Sequence, residues 1–419
     1  MKTNVSKVVK DGLCTSCGVC AGACPKKCID FAYGNERNTP KVDADLCINC
    51  GLCYDICPGK GIMLNAWSKE LFEKEPEIQI NDLAGHYLNS YVGHSTNHEI
   101  RFHSATGGMV TQFLTWLLRK ELIDGAVVVR YAYNNPLQPE SFIATTEAEI
   151  WESRSSKYVV VSMDKVSRAI ADGKYKKLVV VGLPCQIQGW RQLAKKNRVI
   201  RESIVGYFAI YCSVNKTKHS IPYYIKRYRI PSSQISRFSF RDDGCMGFMK
   251  FEKDNGDVIK KVPYLSYWFG THSFFANPRC SLCIDQLGEL ADISFGDIHI
   301  KPYSDDLIGT NSVITRSGKW DALLRQCKEE GCITLTEIAM ETLCSSQVYT
   351  RIFKKGAGVK TNMLLRKVMG KQNPTYDYNY RGKIGLKNIL SEIAKALMRS
   401  IGRRPCLWWI VRMMDRNKD

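Results

Sequence analysis

Two cysteine runs near the start of the chain constrain it more than any other feature. The first reads Cys14-x2-Cys17-x2-Cys20-x3-Cys24-Pro25. The second reads Cys47-x2-Cys50-x2-Cys53-x3-Cys57-Pro58, so one pattern recurs after 33 residues. Three cysteines at two-residue gaps wrap a tight loop around one corner of a metal cluster. Gly18 and Gly51 are expected to let the backbone approach inorganic sulfur, and the proline turns the chain away. A zinc ribbon wants two separated pairs rather than triplets. A disulfide framework wants a short secreted chain, and the N-terminus lacks a charged-then-apolar leader.

The spacing is that of two-cluster bacterial ferredoxins, in which the fourth cysteine of each run ligates the other cluster. Cys14, Cys17, Cys20 and Cys57 are therefore expected to hold one 4Fe-4S cluster, and Cys47, Cys50, Cys53 and Cys24 the other. The repeat reads as one compact α+β ferredoxin-like module over residues 1–66. Short strands at Ile29–Ala32 and Gly61–Leu64 are expected to close it. Cys28 lies outside both runs and reads as a small buried side chain.

At 419 residues the chain has room for two or three domains, and 44% hydrophobic with 24% charged residues is a globular composition. No apolar run approaches the roughly 18 residues of a membrane span. The expected location is the cytoplasm, where 18 cysteines mean metal ligands or redox groups. The net charge of +19 is uneven: from Arg351 onward there are 17 Lys or Arg against four acids. Such a tail bears on partners, namely an anionic membrane, an acidic protein or nucleic acid.

Residues 67–98 are mixed in charge and without period, and read as a surface connector. The larger domain, 99–345, reads as α/β. Ser104-Ala-Thr106-Gly107-Gly108 opens an apolar helix from Met109 to Arg119, followed by a buried strand at Ala126–Val129. Such a loop offers hydroxyls and free N–H groups to an anion, although an ordinary N-cap is the plainer reading. Ser155-Ser156-Lys157-Tyr158 leads into an expected strand at Val159–Val161, and a helix follows over Asp164–Asp172. Lys177–Val181 is a clean strand ending in Gly182-Leu-Pro184-Cys185, with a helix from Ile187. Ligands of open α/β sheets sit at that kind of turn, and an exposed Cys185 there would favour thiolate. A further strand runs from Ser203 to Tyr211, a hairpin from Phe238 to Glu252, and a strand and helix from Ser312 to Glu330.

Cys280-x2-Cys283 forms a pair, and Cys185 and Cys212 each follow an expected strand. Four thiolates could close a third 4Fe-4S cluster. Alternatively, only the pair binds metal as half of a zinc site. Cys245, Cys327, Cys332, Cys344 and Cys406 read as structural.

Residues 346–419 form a basic helical tail. Ile389, Ile393, Leu397 and Ile401 recur four apart, with Leu386 and Leu390 alongside and Lys387, Lys395 and Arg399 on other faces. After Pro405, an apolar stretch with Trp408, Trp409, Met413 and Met414 is flanked by Arg403, Arg404, Arg412 and Arg416. Two readings stand: an interfacial anchor on the inner face of the membrane, or a terminal helix docked on its own core or a partner subunit.

Taken in order, several of these residues form a pattern: Ser104-x-Thr106-Gly107-Gly108, Asp124-Gly125-Ala126, Ser156-Lys157-Tyr158, Gly182-x-Pro184-Cys185-Gln186, Cys212, Phe240-Arg241-Asp242, Cys280-x2-Cys283 and Ala291-Asp292-Ile293-Ser294-x-Gly296-Asp297. The pattern resembles the beta-subunit family of coenzyme F420 hydrogenase/dehydrogenase over roughly residues 99–345. The resemblance implies an FAD-dependent iron–sulfur oxidoreductase with a third cluster at Cys185, Cys212, Cys280 and Cys283. It also makes Ser104, Thr106, Gly107, Gly108, Ser155, Ser156, Lys157, Tyr158, Gly182 and Pro184 expected flavin contacts. Electrons would pass between a two-electron carrier such as coenzyme F420 and a redox partner protein or subunit. The alternatives are a ferredoxin-fed reductase of an organic substrate and a non-catalytic wiring subunit. His103, Lys157 and Asp297 are the groups that could donate protons. No nucleic acid is expected as partner, because no recognition fold accompanies the basic tail.

Overall fold

The computed structural model describes residues 3–34 and 36–415. Its largest element is an eight-stranded sheet. The strand order is Ile333–Glu337, Asn89–Ser95, Asn311–Thr315, Ile293–Asp297, Ile204–Ile210, Leu178–Gly182, Gly125–Ala132, Asn135–Ala144. The four strands from Ile293–Asp297 to Gly125–Ala132 are parallel, and antiparallel strands flank them on both sides. The domain is therefore mixed α/β.

The middle strands are apolar at successive positions because both sheet faces are covered. Alternate residues enter different cores. Val127, Val180, Tyr207 and Ala209 pack with Ile187, Trp190 and Leu193 of helix Pro184–Lys196. Ala126, Val128, Val179, Val181 and Phe208 pack on the opposite side with Phe113, Leu117, Trp320 and Leu324.

The N-terminal module belongs to the first of these cores. Cys17, Val19, Ile56, Ile62 and Leu64 are buried in the same cluster as Val180 and Trp190. The sequence repeat is visible in the backbone: Ser16 and Asn49 have φ 61° and 52°, and Gly18 and Gly51 have φ 85° and 81°. Gly18 has a second role that the repeat did not suggest. A Cβ there would lie 2.4 Å from both Met163 N and Ser162 Oγ. Its bare backbone lets the first run lie against the larger domain, where Met163 N donates to Cys17 O at 2.9 Å. Arg279 Nε adds bonds of 3.1 and 3.0 Å to the carbonyls of Leu13 and Gly59.

Several elements differ from the sequence reading. Ile29–Tyr33 forms a hairpin with Asn38–Val42, whereas Gly61–Ile62 pairs in parallel with Thr375–Tyr376. The connector residues Asn89–Ser95 form a largely buried strand within the sheet, between Ile333–Glu337 and Asn311–Thr315. Val159–Val161 is not a sheet strand. Val160 N reaches only Lys216 O, and Val161 O accepts from Gln186 Nε2 at 3.1 Å. The hairpin gains a third strand, giving a sheet of Arg237–Asp242, Phe248–Glu252 and Val258–Pro263.

Residues beyond 345 are more than a tail. Helix Ala357–Val368 lies against Pro278–Leu282, and Tyr376 Oη takes a bond of 2.8 Å from Arg279 and gives one of 2.9 Å to Leu282 O. This segment straps the N-terminal module to the larger domain. Helices Leu386–Gly402 and Trp408–Met414 follow, and Arg416 lies outside the described residues. Among the described residues, no helix is long and apolar enough to cross a membrane.

Candidate cofactor site

The carboxyl ends of the parallel strands open into a cleft. Gly182, Ile210, Tyr211 and Asp297 mark the ends of three of them, and the cleft holds about 1590 Å³ of empty space, including the part open to solvent. Ser104, Thr106, Gly108, Ser155, Ser156, Lys157, Tyr158 and Gly182 line it. Gly107 sits behind them: a Cβ there would meet Asn311 N and Gly93 O at 2.9 Å. Pro184 lines a neighbouring cavity instead. Helix Met109–Arg119 points its N-terminus at the cleft through Val110 and Thr111. Gly108, at φ 72°, is its N-cap and offers no side chain, and Asn311 Oδ1 accepts from Met109 N at 3.1 Å. The plain N-cap reading of Ser104 and Thr106 therefore does not hold. Their hydroxyls donate to Ile100 O at 2.6 Å and Asp297 Oδ1 at 2.7 Å.

Buried polar groups fix the floor of the cleft. Arg241, on strand Arg237–Asp242, donates to Asp297 Oδ2 at 2.7 Å, to Met246 O at 2.8 Å and to Tyr158 Oη at 3.2 Å. Burial pushes the Asp297 carboxyl up, but Arg241 and His299 outweigh it and hold the group below its usual range. Asp297 is thus an ionised anchor rather than a proton donor. His103 is tied to Asp242 at 2.7 Å and is not part of the cleft lining. His103, Asp242 and Asp243 form a compact trio, but Lys250 already neutralises both acids at 3.1 Å.

Lys157 is committed to the backbone. Its Nζ donates to the carbonyls of Ser153, Arg154 and Ser155 at 2.7, 2.6 and 3.3 Å. Together with the bond from Ser155 Oγ to Arg241 O, this holds the turn in which Ser155 has φ 67°. Burial, and then the charge of Arg154, push the Lys157 pKa down to about 7. Between that value and the ordinary 10.5, the unfolded chain binds a proton that the folded chain has released. Stability from this group therefore rises with pH across the window, and the penalty on the charged form is complete below it. Lys157→Met should lower the Tm more at about pH 9 than at about pH 6. Equal losses at the two pH values would contradict this.

Next to the cleft is a cavity lined by Cys185, Cys212, Cys280 and Cys283. Cys185 stands in the first turn of helix Pro184–Lys196, and Cys280 in the 3-10 turn Pro278–Leu282, where Asn277 Oδ1 accepts from Arg279 N at 3.2 Å. Cys185 is half-buried rather than exposed as the sequence reading expected. Burial pushes its thiol well up, and the charges of Cys17, Cys283, Cys212 and Cys280 add to that. Burial likewise pushes Cys212 up to about 12. Arg279 and Lys354, both buried, also line the cavity. Cys17 of the N-terminal module reaches the same cavity, while Val161, Leu183, Gln186, Cys212 and Asn215 line both it and the cleft.

Within the N-terminal module, Cys24 lines one cavity with Cys47, Cys50 and Cys53. Cys20 lies within electrostatic reach of Cys17, Cys57 and Cys14. Cys28 is buried, and it also lines the Cys24 cavity, with its Sγ 3.3 Å from that of Cys24.

Sequence reasoning missed Tyr264, Trp268, His299 and Lys354, and took Arg241 only as part of a motif. Tyr264 and Trp268 are four apart on helix Tyr264–Phe275 and form an aromatic wall of the cleft. That spacing was a usable signal, whereas nothing local marks Lys354.

The fold and the cysteine-rich N-terminus define an iron–sulfur oxidoreductase. The family models of the coenzyme F420 hydrogenase/dehydrogenase beta subunit match residues 90–168 (N-term) and 175–341 (C terminus), and a 4Fe-4S dicluster domain matches residues 13–61. The chain belongs to this beta-subunit family. It is 26% identical over 295 residues to the coenzyme F420 hydrogenase subunit beta of Methanothermobacter thermautotrophicus, covering 69% of this chain and 99% of the relative. It is 24% identical over 353 residues to the coenzyme F420-dependent sulfite reductase of Methanocaldococcus jannaschii, covering 80% of this chain but only 49% of the relative. It shares its fold with a chain of the F420-reducing NiFe hydrogenase complex of Methanosarcina barkeri, at a TM-score of 0.56 and 19% identity over 72% of this chain and 99% of that one.

Proposed function

We propose that this chain is a flavin-dependent electron-transfer subunit. It would take electrons from a two-electron carrier of the coenzyme F420 type and pass them through three 4Fe-4S clusters to a partner protein. The observation that carries the reading is the continuity of the cavities: the cleft adjoins the four-cysteine cavity through shared lining residues, and Cys17 reaches that cavity from the N-terminal module. When bound, FAD would supply the exchange between a two-electron carrier and one-electron clusters.

The residues fit such a group. The N-terminus of Met109–Arg119, opening at Gly108 with Val110 and Thr111 at the cleft, would receive its anionic part. Val128, Val181 and Ile210 offer an apolar wall, and Tyr158, Tyr264 and Trp268 exclude water. The Arg241–Asp297 pair fixes the floor.

The four-cysteine cavity fits a cluster better than a single ion. Four thiols gathered in one cavity need a metal to ionise together. Among the described residues, no three of these sulfurs lie within 4.8 Å of one another. This spacing suits a bulky inorganic core better than one zinc. Cys14, Cys17, Cys20 and Cys57, and Cys47, Cys50, Cys53 and Cys24, would hold the other two clusters.

Anaerobic purification with flavin, iron and sulfide counted per chain tests the reading. One FAD and about 12 iron atoms are expected. Iron without FAD would leave a wiring subunit, and FAD that reduced coenzyme F420 fails to bleach would point to another organic substrate.

A further inference from the structure

Helix Leu386–Gly402 is amphipathic with its apolar face turned to solvent. Leu386, Leu390, Ile393 and Leu397 are 72, 58, 42 and 62% exposed, and their spacing puts them on one stripe. The other side meets the protein, through polar residues along most of the helix and through Met398 and Ile401 at its C-terminal end. Glu392 is 3% exposed, accepts from Asn362 Nδ2 at 2.7 Å and pairs with Lys395 at 2.7 Å. Gly402 is pressed against the carbonyl of Phe274. The helix thus docks through its other side and leaves the leucine stripe exposed.

The surroundings extend the apolar surface. Leu265 and Phe269 are exposed four residues apart on helix Tyr264–Phe275, which packs along Leu386–Gly402. Trp409 and Met413 are exposed four apart on Trp408–Met414, while Trp408 and Val411 hold that helix to the core. From residue 381 to 415 the acids are Glu392 and Asp415, and both are buried; Lys383, Lys387, Arg404 and Arg412 are exposed, while Arg381 and Arg403 pair with Asp82 and Glu36 of other segments.

We propose that this face docks on the surface of an anionic lipid bilayer. The leucine stripe would enter the boundary between headgroups and acyl chains, and the arginines and lysines would lie at the lipid phosphates. An apolar stripe rimmed by an excess of cations matches such a surface, and Trp409 is the side chain type that prefers the interface. The proposal concerns where the chain works and is independent of the flavin reading.

The test is flotation of the full-length, cluster-loaded protein with phosphatidylcholine vesicles, with and without phosphatidylglycerol. Binding is expected only to the anionic vesicles, weakening as salt rises. The double variant Leu390→Glu/Leu397→Glu should bind at least roughly tenfold less, with cluster absorbance and circular dichroism unchanged. Lys383→Glu/Lys387→Glu should weaken binding at low salt and leave little salt dependence. Failure of the wild-type protein to bind anionic vesicles at low salt would overturn the proposal, as would undiminished binding by the Leu390→Glu/Leu397→Glu variant. If instead the wild-type protein is a dimer that this variant makes monomeric, and vesicles are not bound, the stripe belongs to a second copy of the chain.

Discussion

Replacing Cys280 and Cys283 together by serine is expected to lower the iron content from about 12 to about eight atoms per chain and leave bound flavin unchanged. The two residues line the cavity that also holds Cys185 and Cys212, which Cys17 reaches from the N-terminal module, and they do not line the cavity of Cys24, Cys47, Cys50 and Cys53. Electrons entering at the cleft would then have no stepping stone to Cys17. Transfer to an external one-electron acceptor should fall by more than roughly 100-fold, beyond the range for losing a group that merely supports a metal ligand. Reduction of the flavin by its own donor should persist. The reverse result, with iron unchanged and transfer intact, would leave the pair without a redox role. Loss of about one metal atom, identified as zinc, would assign the cavity to a single ion.

Arg241→Met is the second large effect. The guanidinium is fully buried, holds Asp297, Tyr158 and the Met246 carbonyl, and lies 4.7 Å from the centre of the Tyr264 ring. Methionine fills most of the volume but leaves the Asp297 carboxylate, a quarter exposed to the cleft, without its cation. Breaking a fully buried pair costs ~3–5 kcal/mol, and the loss here should fall below that range. The denaturation midpoint should drop accordingly and bound flavin should be lost, because Asp297 also receives Thr106 from the loop opposite. Adding Asp297→Asn should restore part of the stability, since no charge is then left unpaired. A double variant no more stable than Arg241→Met alone would show that the guanidinium acts through packing and its other bonds rather than through this charge pair.

What could be read from the sequence depended on whether the chemistry is local. The eight N-terminal cysteines announce themselves by spacing, and Gly182-Leu183-Pro184-Cys185 by following a clean strand. The convergence of Cys185, Cys212, Cys280 and Cys283 comes from three separate connections, so only the C-x2-C pair carries a local signal. Asn89–Ser95 was missed because Asn89-Ser-Tyr-Val-Gly-His-Ser95 has no apolar run, although the strand is hydrogen-bonded on both edges. Val159–Val161 was misread for the opposite reason: its apolar run lines the cleft and the cysteine cavity instead of joining the sheet. The strap at Thr375–Tyr376 has no sequence signature, since two paired residues are too few to show a period. The helix at Leu386–Gly402 was legible as amphipathic, but not which face meets the protein. That is decided by Glu392 and Asn362, 30 residues apart.

The central claim is a continuous path from the cleft through the cysteine cavity to the N-terminal module. Anaerobic reductive titration of the purified chain, followed by optical and electron paramagnetic resonance spectra, tests it most directly. About five electrons should be taken up per chain, two by flavin and one by each of three clusters, with all centres reduced by a donor that enters at the cleft. Uptake of about two electrons by two clusters, with no flavin change and no third cluster signal, would contradict it.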